Sequence, residues 1–509
     1  MTDRTSVILF CLLCLLPLRG AAQQVHRIYP APRLTPEVQQ IRQSRTPFRV
    51  EASEDVMLPT SVDNSKTIYF PPILNQSGGS CAQASGIGYM FTYELNRLLG
   101  RDASRPENRM SYLFIWNMLN DGEDQGGFVE NGLMLAKRYG VMSEADYGTP
   151  FVYNYIWASG FDKYLRAMHN RAAEILSFKD SIPLIKRYLY DAGRGEHPGG
   201  ILTYSTQATG WTFDDHYDGP SETGYHSLQT GLGTDGAHAL TIVGYDDLVT
   251  YTDKKGIPHT GAFIVANSWG TFSHDEGRFY LPYDFFRDPA VKDYELSNSM
   301  NGVRPTTFEP KLVFRVGLEY SSRDDLRFGM ATSGRRNATA PSTAYYYNPI
   351  FYHQGGDYNM QGQWRPEDIE IALDYSDYVE ENNVPEQYFL NIITQARGKK
   401  MGTGRLTSLS VIDLRSNQPK QYPYRGSLPV EIGRGTNVLS IPLRPKATFS
   451  ASDFRWKDAD GNLSTSTFFL RTASGRYAKF VISPSSDSGQ TPSTGSGQTT
   501  IHYSITTDR

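Results

Sequence analysis

The sequence predicts two folded units, a mixed α and β unit over residues 58–308 and an all-β sandwich or jelly roll over residues 309–509. A chain of 509 residues is too long for one ordinary core. Apolar residues recur at helical spacing in the first part, whereas short alternating segments bounded by glycine, proline and asparagine follow from about residue 310. Aromatic residues make up 13% of the chain, which is typical of many half-buried strands.

Residues 1–22 have the features of a secretory signal peptide. Arg4 precedes the apolar run Val7–Leu16, which is too short to span a bilayer, and small residues lead to a cleavage point after Ala22. We therefore expect an exported product, secreted or periplasmic. No later segment approaches a membrane span.

Cleavage of the predicted signal peptide would leave a single cysteine in the mature chain. Cys11 and Cys14 lie within the predicted signal peptide, so the mature chain keeps only Cys81 and can form no internal disulfide. Taken alone, a free cysteine is more often a buried small hydrophobic residue than a reactive group. The neighbours of Cys81 decide between these two interpretations.

Residues 23–57 are polar and contain several prolines, with one short helix predicted near Thr35–Ser44. We interpret this segment as a linker or a short propeptide. A glycine-rich turn then precedes Cys81, and apolar residues recur at helical spacing up to Leu99, with Gly100 as a stop. Cys81 would thus begin a helix, where the helix dipole favours a thiolate.

Four motifs follow one another along the first unit. They are Pro72-x-x-Asn75-Gln76 with Gly79-Ser80-Cys81-x-x-x-Ser85, Gln125-Gly126-Gly127-Phe128 followed by Tyr139-Gly140-Val141, Gly236–Asp246 around His238, and Phe263–Thr271 around Asn267 and Trp269. Their order and separations resemble the papain family of cysteine peptidases. The resemblance covers about Leu58 to Phe308.

The resemblance implies an α+β papain-like fold, with a helical half that carries Cys81 facing a β-rich half that carries His238 and Asn267. Cys81 would attack a peptide carbonyl, and His238 would hold the proton and deliver it to the leaving amine. Asn267 would orient the imidazole, since an amide cannot take the proton. Trp269 would cover that hydrogen bond from water.

The oxyanion of the tetrahedral intermediate needs preorganised donors. The backbone N–H of Cys81 would be one, and by resemblance a glutamine side chain just upstream would be the other. Gln76 precedes Cys81 by five positions, whereas papain has six, and strict spacing would select Asn75. We favour Gln76, because Gly78 and Gly79 allow a shortened turn, and keep Asn75 as the alternative.

Glycines at the second motif indicate where an extended substrate would bind. Gly126 and Gly127 would offer backbone hydrogen bonds, because glycine lets two backbones approach closely. Phe128 and Ala239 lie where the family shapes its pocket for the second residue upstream of the cut. The chain departs from the family at Ala82, where papain and its close relatives have tryptophan.

Composition and spacing exclude other function classes. A net charge of −4 provides no basic excess for nucleic acid. The remaining histidines show no metal-ligand spacing and are expected in solvated loops, so we predict no metal and no cofactor; they are His26, His169, His197, His216, His226, His259, His274, His353 and His502. The polar run Asp214–Asp218 is likewise predicted to be a loop.

The second unit is predicted to contain nine short strands, and the papain resemblance does not extend to it. They are Leu312–Leu318, Thr343–Tyr352, Asp368–Tyr375, Gln387–Thr394, Arg405–Leu414, Val430–Leu443, Ser466–Arg471, Arg476–Ser483 and Thr499–Thr506. Such a sandwich could bind substrate, a surface, or the catalytic unit itself.

The function that the motifs favour is a secreted cysteine peptidase acting on protein or peptide substrates through Cys81, His238 and Asn267. Two alternatives stay open. A binding protein could retain the fold without turnover, which the shortened turn after Gln76 and the presence of Ala82 would fit. An acyl transferase could use the same nucleophile with an amine acceptor, and the sequence does not separate transfer from hydrolysis.

Overall fold

A computed structural model of the protein describes much of the chain. The described residues are 28–30, 32–51, 56–148, 155–179, 181–252, 256–286, 299–348, 355–379, 385–397 and 401–443, with the backbone of 466–471 and 477–482. The predicted signal peptide and the predicted strand Thr499–Thr506 lie outside them. Met1–Leu443 form one compact unit and Arg444–Arg509 another. The boundary at 308/309 stays a prediction.

The helices lie in the first half of the chain, within the described residues. The α-helices are α1 Pro36–Ser44, α2 Cys81–Gln83, α3 Thr92–Leu99, α4 Tyr112–Trp116, α5 Val129–Arg138, α6 Glu144–Tyr147, α7 Phe161–His169 and α8 Ile182–Asp191. A π-helical segment, Ala84–Phe91, joins α2 to α3. The chain is therefore helical from Cys81 to Leu99, as the apolar spacing predicts, and it ends at Gly100 in the left-handed region.

This long helix is buried because small residues allow other elements to pack against it. A Cβ at Gly86 would lie 2.8 Å from Val129, and one at Gly88 would lie 2.6 Å from Leu74. The whole segment Ala84–Phe91 is buried. Cys81 is thus placed at the first turn of a helix that has little freedom to shift.

Two helices outside this centre also follow their sequence signals. Helix α1 begins after Thr35, whose side chain accepts a hydrogen bond from the Val38 N–H. Helix α8 begins after Ser181 with Pro183 in its first turn, and the two residues that follow it, Ala192 and Gly193, both lie in the left-handed region. Within the described residues, no helix is long and apolar enough to cross a membrane.

Strands β1–β10 of the described chain form one large sheet. They are β1 Thr46–Pro47, β2 Ser61–Asp63, β3 Asn170–Ser177, β4 Leu202–Thr209, β5 Thr212–Asp214, β6 Leu228–Gly231, β7 Asp235–Thr252, β8 Pro258–Ala266, β9 Arg278–Pro282 and β10 Asn301–Thr307. The order is β1-β3-β10-β4-β7-β8-β9-β6-β5, with β2 also paired to β7.

Strand β7 is the long central strand of this sheet and carries His238. It runs antiparallel to β4 and β8, and almost all of its first twelve residues are buried. Strand β7 contains the whole histidine motif Gly236–Asp246 and continues beyond it to Thr252. Asn267 and Trp269 follow directly after the end of β8.

Beyond residue 310 the described chain is all β. The strands are β11 Leu312–Tyr320, β12 Leu326–Ser333, β13 Tyr346–Tyr347, β14 Asp368–Asp374, β15 Gln387–Thr394, β16 Gly404–Asp413, β17 Lys420–Pro423, β18 Val430–Glu431, β19 Gly435–Pro442, β20 Ser466–Arg471 and β21 Tyr477–Ile482. Strands β11, β14, β16, β17 and β18 form one sheet, and β12, β13, β15 and β19 form another. Strands β20 and β21 form an antiparallel hairpin.

Several of these strands match their predicted ranges closely, as at Gln387–Thr394. Two strands, Leu326–Ser333 and Lys420–Pro423, were not predicted. The predicted strand Val430–Leu443 is divided in two, because the chain turns at Gly433 and Gly435 and pairs with different sheets on each side. Glycine, methionine and alanine in Leu326–Ser333 give a weak strand signal, although the strand is almost wholly buried.

The residues after 310 pack directly on the helical part of the first compact unit. The Tyr139 hydroxyl donates to the Ala372 carbonyl at 2.7 Å, and the Gly160 N–H donates to the Glu370 carbonyl at 2.8 Å. Arg171 forms a buried ion pair with Asp374. One face of the helical part is thus covered by strand β14.

Candidate active site

Cys81 lies against the strand that carries the predicted histidine. The backbone amide of Ala239, the residue after His238, lies near the Cys81 sulfur and acts to lower the pKa of the thiol. One turn further along the helix, Ser85 Oγ donates to the Leu240 carbonyl at 2.7 Å and lies 2.8 Å from Thr241 Oγ1. The helix that begins at Cys81 is therefore fixed to strand β7.

The pKa of the Cys81 thiol differs from the value that the sequence leads us to expect. The start of a helix is expected to lower a thiol pKa, but burial raises the pKa of Cys81. The backbone amides of Ala239, Ala82 and Cys81 itself act in the opposite direction. In the state that the structure shows, the desolvation of the sulfur outweighs these hydrogen bonds.

The predicted histidine and asparagine are directly hydrogen-bonded. His238 Nε2 lies 2.8 Å from Asn267 Oδ1, and the Ser268 N–H donates to the same oxygen at 2.8 Å. Both side chains are buried. The Trp269 ring stacks on the imidazole, with centroids 4.6 Å apart and planes inclined by 27°. Trp269 therefore covers the histidine as the resemblance implies.

Gln76 and Asn75 have different surroundings. Gln76 is buried, its Oε1 accepts from Ser268 Oγ at 2.5 Å, and its Nε2 donates to the Gly78 carbonyl at 2.9 Å. Asn75 is exposed, and its backbone forms an antiparallel bridge with Trp269. Because an amide nitrogen carries two hydrogens, Gln76 Nε2 has one more to donate.

The second motif lies beside the start of the helix. A small pocket brings Gly126, Gly127 and Phe128 next to Ala82, and Trp116 lines the same pocket. Gln83 Nε2 donates to the Phe128 carbonyl at 3.0 Å. Alanine at position 82 thus leaves room beside an aromatic side chain that the sequence did not single out.

Asp124 was also missed by sequence reasoning. Its Oδ1 accepts from the Gly79 N–H at 2.8 Å, and Trp116 Nε1 donates to the Gln125 carbonyl at 3.1 Å. Gly78 is in the left-handed region with φ of 50°. The Asp124 carboxylate therefore holds the loop that carries Gly126 to the turn before Cys81, and the Trp116 indole fixes the loop itself. Asp124 and Gly79 are 45 residues apart in sequence, so no local pattern indicates their contact.

His274 corrects a prediction. It was expected in a solvated loop, but its side chain is only 7% exposed, and its Nε2 lies 3.2 Å from Asn267 Nδ2. Burial lowers its pKa to about 4, against the nearby Asp215 carboxylate, which raises it. By contrast, His197, His216 and His226 are exposed, as expected. His169 and His259 are half-buried and do not lie in loops, because His169 ends helix α7 and His259 lies in strand β8. His26, His353 and His502 lie outside the described residues. Within the described residues no group of three or more candidate ligands could hold a metal ion.

The N-terminal segment reaches the candidate site. The Ala237 N–H donates to the Tyr29 carbonyl at 2.8 Å, in an antiparallel bridge with strand β7. On the other side, a Cβ at Gly126 would lie 3.8 Å from Cβ of Tyr29. Tyr29 therefore lies between the glycine predicted to bind substrate and the strand that carries His238.

Helix α1 holds this segment to the rest of the unit. Arg42 Nε donates to Glu130 Oε1 at 2.8 Å and lies over the Phe128 ring at 5.6 Å. Arg45, largely buried, donates to Asn301 Oδ1 at 2.7 Å. The predicted linker or propeptide is thus ordered against helix α5 and strand β10 over its described part.

Comparison with known proteins finds structural neighbours only. No protein-family model matches the chain, and no curated protein matches its sequence. Among solved structures, the chain is similar to the cysteine protease xylellain from Xylella fastidiosa, at 17% identity and a TM-score of 0.37 over 55% of this chain and 96% of that one. It is also similar to a procathepsin B from Trypanosoma congolense, at 17% identity and 0.38 over 55% and 87%.

A third neighbour is procathepsin L 3 of the Tenebrio molitor larval midgut, at 17% identity and a TM-score of 0.36 over 51% of this chain and 73% of that one. These structures are papain-like cysteine proteases, the family that the sequence motifs resemble. At identities and TM-scores this low, the case for an activity rests on the geometry of the site itself.

Proposed function

We propose that this protein is a cysteine peptidase that hydrolyses peptide bonds. The observation that supports this most is the hydrogen bond between His238 and Asn267, because His238 lies on strand β7, whose Ala239 amide is next to the Cys81 sulfur. A nucleophile, a proton carrier and an orienting amide are what acyl transfer from a peptide requires.

The reaction follows from the donors and acceptors. Asn267 Oδ1 accepts only, so His238 carries a proton on Nε2, and its Nδ1 takes the proton from Cys81. The sulfur then attacks the peptide carbonyl carbon. Collapse of the tetrahedral intermediate breaks the C–N bond, and His238 gives its proton to the departing amine. Water, deprotonated by the same imidazole, hydrolyses the thioester and restores the thiol.

We assign Gln76 as the side-chain donor to the oxyanion, together with the backbone N–H of Cys81. The assignment is supported by the burial of Gln76 and by the two hydrogen bonds that orient its amide. Asn75 is the weaker alternative because its side chain is exposed. Substrate would bind as an extended peptide along Gly126 and Gly127.

We further propose that residues 23–57 are a short propeptide. Support comes from the backbone of Tyr29, which uses the Ala237 N–H beside the histidine strand and approaches Gly126. A substrate backbone would compete for this space. Removal of the segment would therefore expose the cleft, and the predicted cleavage after Ala22 would export the protein with the segment still attached.

We propose that residues 309–509 contain a β-sandwich and that its part up to Leu443 packs on the catalytic unit. The rings of Phe314 on β11 and Tyr388 on β15 lie 6.0 Å apart, which brings the two sheets into contact. Arg323 is fully buried and donates to the carbonyls of Gly355 and Tyr155. The chain after residue 310 thus stabilises the catalytic unit by intramolecular contacts.

A peptide library tests the peptidase proposal. The full chain and a form beginning at Arg33, which keeps α1 and everything after it, are incubated near neutral pH under reducing conditions, each beside Cys81→Ala. We expect cleavage by wild type, at least in the shorter form, and none by C81A. An intact library with both forms, together with a Cys81 that resists alkylation at mildly acidic pH, would contradict the proposal.

The same samples separate the alternatives. Addition of an amine nucleophile would give a transferred product if the protein is an acyl transferase, and mass spectrometry distinguishes that product from a hydrolysed one. Retention of intact peptide by both wild type and C81A, without cleavage, would instead indicate a binding protein. Sequencing the N-terminus of the exported chain tests the signal peptide, and we expect it to begin at Gln23 before any further processing.

A further inference from the structure

The amide of Asn267 is hydrogen-bonded to an imidazole at each end. Its Oδ1 lies 2.8 Å from Nε2 of His238, and its Nδ2 lies 3.2 Å from Nε2 of His274. His274 comes from the loop between β8 and β9, which no sequence motif marked. The orienting residue of the proposed site therefore has a partner of its own.

The hydrogen-bond chemistry fixes the tautomer of His274. An amide NH₂ group can only donate, so Nε2 of His274 must present a lone pair and Nδ1 must carry the proton. Burial of the ring is consistent with this neutral form, since it holds the pKa near 4. Nδ1 faces Ser227 Oγ at 3.5 Å, and Ser227 Oγ donates to Asp215 Oδ1 at 2.6 Å.

Aromatic side chains hold the His274 ring in place. Phe213 lies 4.3 Å and Phe279 4.8 Å from the ring centroid, and Trp211 is 6.2 Å away in an edge-on contact. The backbone at His274 is in the left-handed region, with φ of 57°. A residue held in a conformation that β-carbon-bearing residues rarely adopt, with its ring packed on three sides, has a well-defined position.

A lone pair at this position has two effects on Asn267. It opposes rotation of the amide by half a turn, which would bring Nδ2 against the N–H of His238, donor to donor. It also draws charge along the amide toward Oδ1, which strengthens the hydrogen bond from His238. The Ser268 N–H supports the same orientation from the Oδ1 end.

We propose that His274 is a positioning residue, which through Asn267 fixes and polarises the hydrogen bond that orients His238. Asp215 and Ser227 complete the chain by holding the proton of His274 on Nδ1. This inference rests on the proposed peptidase function. It adds a residue for which neither the motifs nor the order of Cys81, His238 and Asn267 gives any indication.

Two variants separate an electronic role from packing. His274→Phe keeps an aromatic ring among Phe213 and Phe279 but has no acceptor, whereas His274→Gln places an amide oxygen near the position of Nε2. Both share the left-handed backbone, so strain at that residue is matched. Turnover of the peptides that wild type cleaves is measured for the full chain and for the form beginning at Arg33, with thermal unfolding as the folding control.

We expect H274F to lower kcat by roughly 10- to 100-fold, by analogy with the loss that follows when the hydrogen-bond partner of a metal-bound histidine is removed. KM should change little, because His274 lies between β8 and β9 and not in the loop that carries Gly126 and Gly127. H274Q should recover most of kcat. Wild-type kcat in H274F, or equal losses in both variants, would overturn the inference while leaving the peptidase proposal intact. Absence of cleavage by wild type itself, with an unreactive Cys81, would overturn the peptidase function and this inference with it.

Discussion

The two sides of the candidate site are held in different ways. On the histidine side, His238, Asn267 and His274 form one buried chain of hydrogen bonds within neighbouring strands and their connecting loop. On the cysteine side, the turn before Cys81 is held by Asp124 from a loop 45 residues away. The histidine side thus contains its own supports, while the cysteine side depends on more distant parts of the chain.

The most distant support of the cysteine side comes from residues after 310, which belong to the same compact unit. Arg323 lies over the Trp157 ring at 4.5 Å, and Trp157 Nε1 donates to the Asn117 carbonyl at 2.9 Å. Asn117 Oδ1 accepts a hydrogen bond from Asn120, which lies in the loop between α4 and α5. Tyr358 contacts the same loop at Gly122. A change at Arg323 should therefore reach the loop that carries Gly126.

The largest effect is expected for Arg323→Met. Arg323 is fully buried and bonded to three backbone carbonyls, so its loss leaves these acceptors unpaired and should cost roughly 3 to 5 kcal/mol of folding stability, at about 1 to 3 kcal/mol for each unpaired group. Urea unfolding measures this. The matched control is Arg405→Met, whose solvent-exposed pair with Glu319 should contribute little to stability. Equal midpoints for the two variants would show that Arg323 does not support the fold.

Loss of the oxyanion donor comes next. Gln76→Ala should reduce kcat by roughly 100-fold, about 3 kcal/mol of transition-state stabilisation, with KM much less affected. Asn75→Ala is the control, because the Asn75 side chain is exposed. Peptide turnover by both variants is compared at one pH. If N75A proves the more damaging substitution, the assignment of the donor changes to Asn75.

His274, on the histidine side, should make the folding stability of the protein depend on pH. The pKa of His274 is lowered to about 4, so between about pH 6.5 and 4 the unfolded chain binds more protons than the folded one. Stability is then full above pH 6.5 and falls as the pH is lowered, by up to roughly 3 kcal/mol. Urea midpoints for wild type and His274→Gln at pH 7 and pH 4.5 measure the difference. Parallel losses in both proteins would argue against a buried neutral His274.

The smallest effect concerns the N-terminal segment. One backbone hydrogen bond to the Tyr29 carbonyl is worth about 0.5 to 1.5 kcal/mol, so its removal should raise peptide turnover by up to roughly tenfold. The full chain is compared with the form beginning at Arg33 on one short peptide. Identical rates would mean that the segment does not obstruct the cleft.

The comparison of the two sides also explains what the sequence could predict. Cys81 at a helix start follows from local apolar spacing, and His238, Asn267 and Trp269 lie in short continuous motifs. Asp124, His274 and Arg323 act through partners that are far away in the sequence or that only burial reveals. A carboxylate in a loop or a histidine between strands carries no local signal for such a role.

The fold shows the same limit. Strands rich in aromatic and β-branched residues, such as Gln387–Thr394, were predicted with correct bounds, whereas Leu326–Ser333 was missed because its stability comes from burial between neighbouring strands. The split of Val430–Leu443 depends on which sheet each half joins, and that is a tertiary property. Local propensity cannot decide it.

The most direct test of the central claim is the pH dependence of Cys81 alkylation by iodoacetamide. It is measured in the form beginning at Arg33, for wild type and His238→Ala, with mass spectrometry locating the adduct. Burial raises the pKa of the Cys81 thiol in the structure, which includes the N-terminal segment around Tyr29. Reaction at mildly acidic pH therefore requires an imidazole that takes the proton of the thiol. We predict that wild-type Cys81 still reacts at mildly acidic pH and that H238A loses this reaction. Identical profiles that rise only at alkaline pH in both proteins would contradict the account.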